Sequence, residues 1–186
     1  MINLNDKQFE NNEVKIFNGG EAGVVKDCAV RIEKKGADDP DNMPDYKVIV
    51  TDKTGAEINQ GIFDNFDTAS DKALKFFVRS MKHLAGVFKV KDQQPAQVAS
   101  YRELLDVTMK ICNKNQNNVR VNVAVYFGTE DRPNKKGFLE IDWFWGLRNV
   151  EDGIPTLSKT ALTERPAPDG DTNDAPSTSE APDNWA

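Results

Sequence analysis

Histidine and cysteine are almost missing from this chain. His83 is the single histidine, and Cys28 and Cys112 are the two cysteines. A zinc site needs clustered ligands, and these three residues do not supply them. The cysteines lie in separate predicted elements, each at an apolar position of its local pattern. They are expected to be buried free thiols packing as small hydrophobes. No apolar run approaches the roughly 18 residues that cross a membrane. The opening Met1-Ile-Asn-Leu-Asn-Asp-Lys7 has no basic-then-apolar leader pattern, so a cytoplasmic location, in a host cell if the source is viral, is expected. Gly19-Gly20 and Gly23 do not make a phosphate-binding loop, because a strand follows where a helix N-terminus is required. No enzyme motif is present, and no cofactor is expected.

What is present is unevenly spread. The chain of 186 residues has a net charge of -6. Six acids against Arg165 give residues 164–186 a charge of -5, which leaves -1 for all the rest. A near-neutral body with an acidic tail differs from a uniformly acidic protein. Beyond about Gly153 the composition turns to Pro, Asp, Thr, Ser, Ala and Gly. Such a segment buries too little to offset its ordering entropy. The reading is therefore a flexible arm over 1–13, a folded domain over 14–153, and a disordered acidic tail over 154–186. In the tail, Asp183 and Trp185 are candidate partner-binding residues, because an isolated terminal tryptophan has no core to join.

Within the domain, Val14–Phe17 is a short strand candidate. Val24–Lys34 alternates, with Val24, Cys28, Val30 and Ile32 on one face and Lys26 as the exception. Asp45–Asp52 and Glu57–Phe66 are further strands, joined by the tight turn Asp52-Lys-Thr-Gly55. The period then changes. Ala73, Leu74, Phe77, Val78, Met81, Leu84 and Ala85 recur at helical spacing, with Thr68 as a cap and Gly86 as a stop. Ser100-Tyr-Arg-Glu103 is a capping box opening a second helix. Val119–Phe127 and Phe138–Arg148, joined by a basic loop, read as a long hairpin. Three strands, a two-helix insertion and two strands give a mainly β (α+β) chain. That is the order of a five-stranded OB-fold barrel with its helices between strands three and four.

The candidate site follows from the hairpin. Val119, Val121, Val123 and Val125 share one face, which leaves Arg120, Asn122 and Tyr126 on the other. Single-strand binders combine cations for phosphates with aromatic rings for bases. The candidates are Arg31, Lys47, Phe63, Arg120, Tyr126, Trp143 and Trp145, with Lys34, Lys35, Arg132, Lys135 and Lys136 in loops. Trp143 and Trp145 share parity with Leu139, Ile141 and Leu147, so the core also claims them. Phe138, Glu140, Asp142 and Phe144 fall on the opposite face. Two other readings compete. Asp64, Asp67, Glu140 and Asp142 are carboxylates of the kind that ligate metal in nucleases. Alternatively, the body and tail form a protein-interaction module that needs no nucleic acid.

The layout resembles phage single-stranded DNA-binding proteins with an OB-fold and an acidic tail. The resemblance rests on Gly23-Val-Val-Lys-Asp-Cys-Ala-Val-Arg-Ile-Glu-Lys-Lys35, Pro44-Asp-Tyr-Lys-Val-Ile-Val-Thr-Asp52, and Gly61-Ile-Phe-Asp-Asn-Phe66 leading into a helix. It implies sequence-tolerant binding of single-stranded DNA in phage-type replication or recombination. It also implies recruitment of replication or recombination proteins by the tail. On that expectation the tail competes with the strand as a second polyanion. Deleting residues 164–186 should then raise affinity for an oligonucleotide at low salt, as read by anisotropy, and unchanged or weaker binding would remove the competition idea.

Overall fold

β1 (Gly23–Lys34), β2 (Tyr46–Thr51) and β3 (Glu57–Ile62) form an antiparallel meander. The computed structural model describes residues 15–167. Helices α1 (Asp71–Val87) and α2 (Tyr101–Asn115) come next in the chain, then β4 (Arg120–Tyr126). A small hairpin of β5 (Gly128–Thr129) and β6 (Arg132–Pro133) precedes the short strands β7 (Glu140–Ile141) and β8 (Leu147–Asn149). The order across the main sheet is β3-β2-β1-β4-β7, and β8 also pairs with β4. β3 and β7 approach each other, so the sheet curls into a nearly closed antiparallel five-strand barrel. Each strand runs against its neighbour, and five is an odd number. The two outer strands therefore run the same way, and among the described residues no ladder joins them. That leaves a seam along β3.

The core sits inside the barrel and under the two helices. Val121, Val123 and Val125 point inward with Cys28, Val48, Val50, Met81, Leu84 and Leu105. Burying a Leu or Met of this kind contributes about 1.5–3 kcal/mol. Burial pushes the thiol of Cys28 up to about 11 and that of Cys112 up to about 12, so both are protonated at neutral pH. Both are free and buried, as their apolar positions suggest.

Several local expectations are corrected. Lys26 breaks the pattern of β1 because the strand bulges there. Val25 pairs with Val123 and Cys28 with Val121, so Lys26 and Asp27 together oppose Asn122. Asp27 adopts φ 56, and the side-chain parity flips across it. Lys15 and Ile16 are irregular, and Phe17–Gly20 is a 3-10 turn where a strand was expected, because Asn18 and Gly19 adopt positive φ. β3 ends at Ile62, short of Phe66. The cap of α1 is Ser70, whose hydroxyl accepts from Ala73 N, and the helix runs through Gly86. The capping box is present in a shifted form: Ser100 Oγ accepts from Glu103 N at 3.1 Å, while Glu103 reaches back to Ala99 N at 2.5 Å.

The second arm of the long hairpin is not one strand. β7 pairs with Val125 and Tyr126, and β8 pairs with Val121 to Val123. Residues 142–146 therefore stand opposite Ala124 alone. Trp143 turns the chain at φ 45, and a 3-10 turn follows over Phe144–Gly146. Gly146 fits this loop because a Cβ there would sit 3.0 Å from Ala124 O.

The turn between β2 and β3 is held by one carboxylate. Asp52, 8% exposed, accepts from Asn18 N at 2.9 Å, Thr54 N at 2.8 Å, Thr54 Oγ1 at 2.6 Å and Ala56 N at 3.1 Å. Burial favours the neutral acid, but the hydrogen bonds together outweigh it and hold the carboxyl below its usual range. A lowered value means the stabilisation is present above the unfolded-state pKa and is lost as pH falls through the folded one. Asp52→Ala should cost roughly 2–3 kcal/mol at pH 7 in chemical denaturation, and the gap to the unaltered protein should narrow in acid.

Candidate nucleic-acid interface

Two grooves meet at the seam. The larger, about 1050 Å³, lies between β3 and the 128–137 hairpin. Tyr126, Arg132, Lys135, Lys136 and Trp143 line it, with Glu140 on its wall and Gln60 across the seam. The smaller, about 340 Å³, is walled by Phe63, Phe66, Phe76 and Phe77. Gln60 and Trp143 line both, so the surface runs from a cationic end to an aromatic end.

The cationic end is built around Asn134. Its N–H donates to Phe127 O at 2.8 Å, which closes the hairpin. Its side-chain amide donates to Phe138 O at 3.0 Å and to Glu140 Oε1 at 2.6 Å, and its oxygen accepts from Lys136 N at 3.2 Å. The carboxylate of Glu140 is oriented by this neutral amide and keeps its negative charge on the groove wall. Burial raises the pKa of Asp142. Burial, then Asp142 and Glu140, raise that of Tyr126, so the phenol stays protonated.

The aromatic end depends on the loop opposite Ala124. Trp143 is half-buried and its Nε1 donates to Ser80 Oγ at 2.8 Å. Its ring lies 6.0 Å from that of Phe76. Trp145 is 41% exposed and packs 4.7 Å from the His83 ring and 6.2 Å from Phe76. Phe144 is fully buried, contrary to the strand parity that put it outside. The reason is the turn at Trp143, which breaks the alternation.

Other expected residues are not brought here. Arg31 makes a two-pronged pair with Glu57 at 2.5 and 3.1 Å. Arg120 pairs with Asp27 at 3.0 Å on the bulge. Lys35 pairs with Asp41 at 3.8 Å. Lys34 stands 5.6 Å from the centre of the Tyr46 ring, and Lys47 lies opposite Glu33 and Gly61 in the ladder. Asn122, expected on an open face, is buried and bridges Asp27 N and Gly153 O. Asp183 and Trp185 lie outside the described residues. Of the four carboxylates considered for metal, Asp64 pairs with Arg102 at 2.8 Å and Glu140 accepts from Asn134 at 2.6 Å, while Glu140 and Asp142 both act on Tyr126. Among the described residues no group of three or more His, Cys, Asp or Glu is placed to hold a metal ion.

Gln60, Phe76 and Asn134 were not foreseen. Phe76 had a signal, since an aromatic residue out of phase with the buried stripe of α1 has to be exposed. Gln60 and Asn134 had none, because their roles come from the seam and from the folded hairpin. No protein-family model, curated protein or solved structure matches this chain.

Gly128 sets the shape of the cationic wall. It has φ 86, and a Cβ there would collide with Arg132 O and lie 2.8 Å from Asn134 N. Gly128→Ala should cost about 1–3 kcal/mol. Hydrogen exchange should show Asn134 N–H losing protection, while the amides of Val121 and Val123 keep theirs.

Proposed function

We propose that this protein binds single-stranded DNA without sequence preference, in phage-type replication or recombination. The observation that carries the reading is the continuous groove, cationic at one end and aromatic at the other. Arg132, Lys135 and Lys136 hold phosphates. Tyr126, Trp143, Phe63 and Phe76 offer ring faces to bases, and any base has a π-face to offer in return. A duplex keeps its bases stacked on one another and gains only the phosphate contacts. The strand order and the odd-numbered seam support an OB-fold, whose open face takes oligonucleotides in the same way. The acidic tail regulates access and recruits replication or recombination partners. Because Arg165 lies against the Phe127 ring, a cut that removes only competing acids belongs after Ala167.

A second reading, a protein-interaction module, draws on the exposed aromatic side chains Phe63, Phe76, Phe138 and Trp145. Titration of oligo-dT against intrinsic tryptophan fluorescence, at low and high salt and with duplex as control, separates the two. Quenching by the single strand, weakened by salt and absent with duplex, is expected. A flat trace, also flat by anisotropy, leaves the interaction module.

Each cation removed, Arg132→Ala or Lys136→Ala, should lower the salt slope by about 0.7 and weaken all sequences alike. Phe63→Ala or Tyr126→Ala should cost about 1–3 kcal/mol of binding at any salt. Arg31→Ala and Arg120→Ala should leave affinity near its original value, because both cations are ion-paired and line neither groove.

A further inference from the structure

The last part of the described chain is bonded to the hairpin that carries the cations. Phe127 N donates to Leu162 O at 2.9 Å, Leu162 N donates to Gly128 O at 3.0 Å, and Glu130 N donates to Thr160 O at 3.0 Å. Ala161 bridges Thr129 as an antiparallel partner. Past this point the Arg165 guanidinium sits 5.8 Å from the Phe127 ring centre. Its stem lies 3.1 Å from where a side chain at Gly137 would begin, one residue beyond Lys136. Composition assigned all of 154–186 to the tail, but a turn over Ser158–Ala161 leads into residues 160–162, which bond along the hairpin beside Thr129, and Arg165 packs on it.

The hairpin needs such support. β5 and β6 share only the pairs Gly128–Pro133 and Thr129–Arg132. A two-stranded ribbon is marginal in water, and a third strand or a packing surface is required to hold it. A groove wall that moves loses affinity, since the strand must order the wall as it binds.

We propose that residues 158–165 are a positioning strap: they fix the hairpin so that Arg132, Lys135 and Lys136 line the groove. This rests on the groove being the strand-binding site. It separates two parts of the C-terminal region by sign. The acids after Ala167 oppose binding, whereas the strap, which precedes them, promotes it.

The test uses the full chain at constant charge. Leu162→Pro removes the N–H that donates to Gly128 O, and Leu162→Ala keeps it. Two readouts are taken, oligo-dT affinity by anisotropy and hydrogen exchange at the amides of Phe127, Glu130 and Asn134. Leu162→Pro should weaken binding about tenfold and expose those amides, with Val121 and Val123 still protected and Leu162→Ala near the original protein. Unchanged exchange in Leu162→Pro overturns the strap, and so does raised exchange with unchanged affinity. If the unaltered protein binds no strand, the groove reading has failed. Exchange then decides the strap alone: exposed hairpin amides support it and protected ones overturn it. Should Leu162→Pro unfold the barrel, the pair Ala161→Gly and Leu162→Gly loosens the strap without removing a donor, and the same comparisons apply.

Discussion

Five strands that each run against their neighbour cannot close with an antiparallel pair. The fifth, β7, returns parallel to β3, and the two approach with no ladder between them among the described residues. Parallel pairing is also slightly weaker per residue. This constraint shapes the molecule. It leaves Gln60 of β3 facing Ile141 and Trp143 across a gap, and that gap is where the two grooves meet. It also places the hairpin after β4 and the end of β3 on the two sides of one opening.

The insertion opposite Ala124 turns the gap into an aromatic site. A regular strand would have sent Phe144 outward and Trp145 inward. The positive φ at Trp143 reverses the outcome: Phe144 fills the core, Trp145 reaches Phe76 and His83, and Trp143 stays between them, tied to Ser80. A backbone conformation of this kind costs about 1–3 kcal/mol and persists only where the surroundings hold it. Here Phe144 burial and the Trp143–Ser80 hydrogen bond provide that support.

Charge is sorted along the same lines. Arg31, Arg120 and Lys35 line neither groove and pair with Glu57, Asp27 and Asp41. Such exposed pairs contribute about 0–1 kcal/mol each, so their larger effect is on the field: they neutralise cations that line neither groove. Neither Arg132 nor Lys136 is in an ion pair among the described residues. A body near neutrality overall can in this way present a positive groove.

Much of this was legible from residue order. The alternation of β1 beyond its bulge and of β2, the helical period of α1, the capping role of Ser100 and the inward valines of β4 follow from backbone periodicity and from polar groups that satisfy chain ends locally. So do the cationic loop and the ring of Tyr126, since their neighbours in sequence are also their neighbours in space. What the chain order could not carry was anything settled by two distant segments. The pairing of Arg31 with Glu57, the meeting of Gln60 with Trp143 and the bonding of residues 160–162 to the hairpin each join partners far apart along the chain. The break at Trp143 belongs with them, because strand parity holds only while pairing is regular, and Phe144 was drawn inward by a cavity that exists only once the helices have packed. Local periodicity determined the elements; closure of the barrel decided which side chains share its opening.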